Sequence, residues 1–211
     1  ILKDMVDAGM HACALEASSM GIEQGRVEAI DFDVAIFTNL THDHLDYHGT
    51  MERYFQAKKK LFDSLKEDAI AVTNMDDPHG MAIVEDTAAK VVTYGTKEGA
   101  DYQIVNYQLL KDRTRITLKI SNMLYEIETN LVAKFNIYNL VAAIAALHSS
   151  GVSIEQMLPT IKSLHQIEGR MERIDEGQPF NIIVDFGHTP DGIEQVCKYA
   201  SAITPKGKRI I

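Results

Sequence analysis

Cysteine and basic charge are both scarce in this sequence. The two cysteines, Cys13 and Cys197, lie far apart and match no paired-thiolate spacing, which excludes a cysteine-built zinc site or a dithiol redox motif. They are expected as buried free thiols in a reducing cytoplasm. A net charge of -9 at pH 7 argues against a duplex-binding surface, because affinity for phosphate backbones comes largely from clustered Lys and Arg. A nucleotide ligand needs only a few local donors and stays allowed. No apolar run approaches the ~20 residues of a membrane span, and no basic-then-apolar signal opens the chain. Asn39-Leu40-Thr41 fits a glycosylation acceptor, yet nothing else points to secretion. Internal repeats and low-complexity tracts are missing. So is a GxxxxGK[ST] phosphate loop, since Gly207-Lys208-Arg209 lacks both the upstream glycine and the hydroxyl.

What is present is ordinary for a globular protein: 211 residues, 45% hydrophobic and 24% charged. That length carries one substantial core, or one domain and part of another. The chain opens at Ile1 inside a predicted helix (Leu2 to Ala8) and stops in a predicted strand (Arg209 to Ile211), so it is expected to be cut from a longer protein.

The first half alternates strands and helices. Cys13 to Ala17 reads as a buried strand, and Asp33 to Asn39 as a stronger one. A helix over Met51–Leu65 follows, with Thr50 as N-cap. Then come a strand over Ala69–Thr73, a helix near Pro78–Glu85 and a strand over Lys90–Tyr94. This order predicts an α/β fold with a mostly parallel, doubly wound sheet and helices on both faces. After Gly99 the period changes to two. Tyr102–Leu110, Thr114–Ile120 and Met123–Thr129, with a turn at Ser121-Asn122, predict a small separate antiparallel meander. Helices return over Ile137–Ser149 and Ile154–His165. Strands over Arg170–Asp175 and Phe180–Asp185 then flank the turn-rich Glu176-Gly177-Gln178-Pro179, which suits a domain junction. A helix over Pro190–Ala200 begins another α/β unit.

The densest chemistry is Thr38-Asn39-Leu40-Thr41-His42-Asp43-His44-Leu45-Asp46-Tyr47-His48-Gly49, just past a predicted strand at the edge where open parallel sheets bind ligands. His42, His44 and Asp46 follow the start of a zinc-hydrolase pattern, but Tyr47 stands where the next histidine belongs and His48 comes one residue late. Taken alone, the cluster leaves a metal site and a locally hydrogen-bonded polar loop both open. Glu16, ending the preceding predicted strand, is expected at the same edge, and a carboxylate there favours a hard cation such as Mg²⁺.

A family resemblance covers nearly the whole chain. Glu16-Ala17-Ser18-Ser19, Gln24-Gly25-Arg26-Val27, the run Thr38 to Gly49 and Tyr54-Phe55-Gln56-Ala57-Lys58 resemble the Mur ligases in order and spacing. Phe135-Asn136-Ile137-Tyr138-Asn139-Leu140-Val141-Ala142-Ala143, Gly169-Arg170-Met171-Glu172 and Val184-Asp185-Phe186-Gly187-His188-Thr189-Pro190-Asp191 fit the same family, with Phe186 and Gly187 in place of Tyr and Ala. Asp43 to Gly49 has the form typical of its tripeptide-synthetase branch. The Asp185-Phe186-Gly187 run also matches a protein-kinase magnesium motif, but nothing else kinase-like is present.

The resemblance implies a central ATP-binding domain over 1–168, followed over 169–211 by a hinge and the beginning of a C-terminal Rossmann-like domain. The family's phosphate loop is expected before Ile1, and the segment choosing the incoming amino acid after Ile211. The implied parent is a cytoplasmic, monomeric, ATP-dependent ligase. It joins a diamino acid, meso-diaminopimelate or L-lysine, to UDP-N-acetylmuramoyl-L-Ala-D-Glu through an acyl phosphate. Glu16 and His44 are implied Mg²⁺ ligands, with Lys58 as a carbamylated third. Ser18, Gln24 and Arg26 are implied contacts of the UDP-N-acetylmuramoyl-dipeptide. Asn139, Arg170, Asp185 and His188 are implied contacts of ATP. Simpler readings stand beside these: Lys58-Lys59-Lys60 as a solvated helix face, and Asn136 as a helix N-cap. Lys59 and Lys60 are expected to be dispensable. A folylpolyglutamate or cyanophycin-type synthetase shares the implied chemistry, and a zinc hydrolase built on His42, His44, Asp46 and His48 is the rival of another class.

Overall fold

The computed structural model describes residues 1–110, 113–164, 167–205 and 207. The strand expected over Arg209–Ile211, and the residue His165 at the end of an expected helix, lie outside the described residues.

Four parallel strands open a six-stranded sheet: β1 (Val34–Phe37), β2 (Ile70–Asn74), β3 (Lys90–Gly95) and β4 (Tyr102–Leu109). β5 (Thr114–Ile120) and β6 (Met123–Thr129) then extend it antiparallel, turning at Ser121 in the left-handed region. The expected meander is therefore not separate. Tyr102 and Gln103 register against Tyr94 and Gly95, so the end of β3 finds its ladder partner at the start of β4. This stagger lets the short link 96–101 join two parallel neighbours.

Helices cover both faces. α5 (Lys134–Ser149) and α6 (Ile154–Ser163) lie on one, where Val72, Val92, Tyr94, Ile116 and Leu118 pack with Leu140, Val141 and Ile144. α4 (Met51–Asp63) lies on the other, packing Tyr54, Phe55 and Phe62 against Ala35, Phe37 and Ala71. Alternate residues of β1 and β2 serve opposite cores, as a period of two requires. α4 begins where the sequence places it, with the Thr50 hydroxyl accepting from the Arg53 N–H at 3.2 Å. α6 carries a full capping box between Ser153 and Gln156.

Three expectations are corrected. Cys13–Ala17 is no strand: it runs without regular structure between α1 (Leu2–Asp7) and α2 (Ser19–Glu23), and Leu15 is 42% exposed. Among the described residues β1 pairs only with β2, so no neighbouring strand offers this segment a ladder. Both cysteines are free but exposed, not buried. The helix expected over Pro78–Glu85 shrinks to a single 3₁₀ turn, Ala82–Val84. Side chains hold the chain before it in turns. Asp77 accepts from the backbone N–H groups of Leu40 and His79, and the Thr73 hydroxyl donates to the Gly80 carbonyl at 2.6 Å. Gly80 is obligatory, because a Cβ there would sit 1.8 Å from the Asn74 carbonyl oxygen.

β7 (Glu172–Ile174) and β8 (Ile182–Val184) form a separate antiparallel pair, followed by α7 (Pro190–Ile203), which Thr189 caps. Met171 and Tyr199 pack with Val132 and Ala133, joining this part to the start of α5.

Candidate active site

The site grows from the carboxyl end of β1. The chain leaves Phe37, passes the exposed Thr38 and Asn39 and reaches a single helical turn, α3 (Leu45–His48), before entering α4. His44 caps α3 in the left-handed conformation (φ 53°), with its N–H donated to the Asp43 carboxylate at 2.7 Å. A non-glycine residue at positive φ is uncommon and costs free energy that a functional position justifies.

Tyr54 of α4 is the hub. Its ring is 6% exposed and meets His44 edge-on at 6.1 Å and His48 in a stack at 5.1 Å. The Lys58 ammonium stands over the same ring, 5.2 Å from its centroid. Tyr54 and Lys58 are four residues apart on one helix, which places them on one face. Burial pulls the Lys58 ammonium below the ordinary lysine value, while the charges of Glu16 and Asp43 pull it back up without cancelling the effect. Burial and the neighbouring Asp43 push the Tyr54 phenol up. Lys58, Ala17, Thr38 and Asn39 line one pocket at this edge.

His44 and Lys58 are thus brought to one aromatic ring, and Glu16 is near enough for its charge to act on the Lys58 ammonium. Glu16 arrives there from an irregular segment, not from the end of a strand. By its chemistry, a set of the Glu16 carboxylate, the His44 imidazole and the oxygens of a carbamylated Lys58 would suit a hard divalent cation, with the modified lysine completing what the carboxylates and imidazoles here do not form by themselves. Burial also fits the modification, since only the neutral amine takes up CO₂.

The zinc arrangement is not formed. Among the described residues no three His, Cys, Asp or Glu side chains group as metal ligands. Asp46 and His48 are two apart on the helical turn α3, so their side chains point to different sides of it. His48 is also committed, with Nε2 2.8 Å from the Ser19 hydroxyl and Nδ1 3.5 Å from Glu23.

The expected substrate segment wraps α2. Ser18 is its N-cap, accepting from Gly21 N–H at 3.1 Å. Gln24 ends the helix and reaches the Tyr47 hydroxyl at 3.4 Å, and Arg26 is exposed just beyond. Arg170, Asp185 and His188 form a second group. The Arg170 guanidinium lies 5.5 Å over the Phe186 ring, and Asp185 accepts from Met171 and Gly187 N–H groups at 2.9 and 2.7 Å. The exposed His188 ring packs against Phe186. Asn139 is exposed on α5, its amide 3.5 Å from the Asn136 oxygen. Asn136 is no N-cap. Ala133 takes that position, and Asn136 donates back to the Val132 carbonyl at 2.8 Å from inside the helix.

Lys59 overturns the expectation of a solvated lysine row. It is 7% exposed and forms ion pairs with Asp63 at 2.6 Å and Asp86 at 2.7 Å. Burial works against its charge, yet the two carboxylates more than offset this and hold its pKa above the ordinary value. Sequence reasoning also missed Asp76. It accepts from the Thr96 backbone at 2.6 Å and hydroxyl at 2.8 Å, from Lys97 N–H at 3.1 Å and from the Tyr138 hydroxyl at 2.7 Å. Its only sequence signal is a polar run after a buried strand, at the sheet's ligand-binding edge.

Known proteins resemble this chain in sequence and in fold. A UDP-N-acetylmuramoyl-L-alanyl-D-glutamate–2,6-diaminopimelate ligase of Halalkalibacterium halodurans is 40% identical over 99% of this chain. A ligase of the same name from Geobacillus kaustophilus is 41% identical, also over 99%. The chain spans only 43% and 44% of these relatives' own lengths. A solved structure of a ligase of that name superposes with a TM-score of 0.82 at 34% identity, covering 97% of this chain and 43% of the other. An ADP complex of the MurF ligase of Thermotoga maritima shares the fold, with a TM-score of 0.75 at 23% identity over 87% of this chain and 42% of its own. The Mur ligase glutamate ligase domain matches residues 169–211 and the Mur ligase middle domain matches residues 1–147, so the chain belongs to the Mur ligase family.

Proposed function

We propose that this chain carries the acyl-activation centre of an ATP-dependent, cytoplasmic, monomeric ligase. The ligase adds a diamino acid, with 2,6-diaminopimelate the first to be tried, to UDP-N-acetylmuramoyl-L-alanyl-D-glutamate. Residues 1–168 are the ATP-binding unit, and 169–211 begin the next. The observation that carries the reading is the half-buried Lys58 ammonium held over Tyr54, the ring that also meets His44.

The acceptor carboxylate attacks the γ-phosphorus of ATP, forming an acyl phosphate and releasing ADP. The incoming amine then attacks the acyl carbon; phosphate leaves, the amine loses its proton and an amide remains. Bound Mg²⁺ supplies charge stabilisation for the phosphates and the developing oxyanions. Glu16, His44 and carbamylated Lys58 would hold that ion. Once the Lys58 ammonium has lost a proton, its amine nitrogen would bond to the carbon of CO₂ and release a second proton to water, leaving a carbamate anion in place of a cation. Ser18, Gln24 and Arg26 bind the muramoyl-dipeptide, and the Arg26 cation meets its polyanionic end. Asn139 contacts adenine, while Arg170, Asp185 and His188 reach the nucleotide from the hinge side.

In the full-length ligase, Lys58→Ala is expected to lower tripeptide formation by roughly a hundredfold or more, the scale of a lost charge-stabilising group. Short carboxylates such as formate or acetate should partly restore it by filling the vacated place. A fully active Lys58→Ala enzyme would remove Lys58 from the mechanism.

A further inference from the structure

A buried polar bond joins the two halves of the proposed site, and the reaction assigns it no role. Ser19, the first residue of α2, is 1% exposed, and its hydroxyl lies 2.8 Å from Nε2 of His48, itself 3% exposed. The other ring nitrogen faces the Glu23 carboxylate at 3.5 Å. A carboxylate favours the proton on Nδ1, which leaves Nε2 as acceptor and makes the Ser19 hydroxyl the donor. On its other side the His48 ring stacks on Tyr54, the ring that also meets His44 and Lys58. A second thread runs in parallel: Gln24 reaches the Tyr47 hydroxyl, and Tyr47 packs edge-on against His48 at 4.8 Å.

Serine, imidazole and carboxylate in that order have the composition of a hydrolase triad. Burial excludes that use, because a hydroxyl closed off from solvent cannot meet an incoming carbonyl carbon. What the bond does do is fix a short helix. α2 spans only Ser19–Glu23, far too short to hold its place unaided. Its position is set by what it is bonded to, and a buried hydrogen bond is costly to leave unmade.

We propose that His48 is a positioning residue. Acting through Ser19, it holds the acceptor-binding segment Ser18–Arg26 in register with His44 and Lys58. This rests on the function proposed above. Because the bond lies on the acceptor side, its loss should weaken use of the muramoyl-dipeptide and spare ATP.

The test uses the full-length ligase, with steady-state kinetics on UDP-N-acetylmuramoyl-L-Ala-D-Glu and ATP. Ser19→Ala and His48→Phe are expected to raise KM for the muramoyl-dipeptide about tenfold, leaving KM for ATP within about twofold of wild type. His48→Gln, whose side-chain amide still reaches Ser19, should bring the acceptor KM back toward wild type. A packing role gives the opposite order, since Phe keeps both ring contacts and Gln keeps neither. The proposal is overturned by an unchanged acceptor KM in Ser19→Ala, by equal rises for both substrates, or by Phe outperforming Gln. Should His48→Phe not fold, Ser19→Ala decides, because it removes a single oxygen. Wild-type enzyme that forms no tripeptide overturns the functional reading and this inference together. Active wild type with unaffected variants overturns the inference alone.

Discussion

Three consecutive lysines on α4 have three different fates, because successive helical residues turn by ~100°. Lys58 faces the site, Lys59 is buried between Asp63 and Asp86, and Lys60 is exposed. Removing Lys59 should therefore cost stability, not chemistry. Lys59→Met is expected to lose about 1–2 kcal/mol, a modest figure because Asp63 and Asp86 keep access to water. That corresponds to a fall in Tm of roughly 2–8 °C for a protein of this size. Lys60→Met should stay within about 0.5 kcal/mol of wild type. The sign of the pH dependence follows from the raised Lys59 pKa. A group with a raised folded-state value stabilises fully below its unfolded value and loses that contribution as pH rises through the folded one. The gap between wild type and Lys59→Met should thus hold through neutral pH and close only above about pH 10.4. Melting curves across that range check it, and a gap that closes near neutrality would contradict the ion-pair account.

At the scale of elements, Asp76 ties together parts of the fold distant in sequence. It follows β2, accepts hydrogen bonds from Thr96 and Lys97 just after β3, and accepts one from Tyr138 on α5. Gly95 (φ 148°) makes room, since a Cβ there would stand 2.9 Å from the Asp76 carboxyl. Burial alone would raise the Asp76 pKa, but these donors more than offset it and hold it below the ordinary value. Such a group stabilises above its unfolded pKa and loses its contribution as pH falls through the depressed folded value. Asp76→Ala is expected to cost about 2–3 kcal/mol at neutral pH, the range for hydrogen bonds to a charged group. Its deficit against wild type should shrink below about pH 4. Denaturant melts at pH 7 and in acid check this, and a deficit independent of pH would point away from the carboxylate. Tyr138 neighbours Asn139, so the same tie steadies the helix that bears a proposed nucleotide contact.

For the molecule as a whole, the prediction concerns what the 211 residues do alone. His44 and Lys58 meet at the Tyr54 ring, yet the sequence has no Walker-type phosphate loop. Backbone N–H groups of such a loop are what cradle the nucleotide phosphates. The isolated chain is expected to show no magnesium-dependent ATP hydrolysis and no tripeptide product. Release of phosphate from ATP by the purified chain, above a Lys58→Ala control, would refute this. None of its helices among the described residues is long and apolar enough to cross a membrane.

Much of the fold was legible in the sequence, because periodicity and caps are local properties. The period of two over Tyr102–Thr129 and the Thr50 cap of α4 needed no tertiary information. Family spacing also singled out His44 and Lys58, which the structure places around the one Tyr54 ring. What failed depended on partners distant in the chain. Cys13–Ala17 has strand composition but no neighbouring strand, Pro78–Glu85 is held in turns by Asp77 and Thr73, and the meander joins the main sheet because β3 needs a ladder partner. The same holds for the unforeseen residues. Lys59 pairs with Asp86, Asp76 ties to Thr96 and Tyr138, and His48 bonds to Ser19, each across a long stretch of sequence, while Tyr54 gathers His44, His48 and Lys58 from its own neighbourhood. Local patterning sets which elements form, but which side chains meet is decided when the sheet and its two layers of helices close around them.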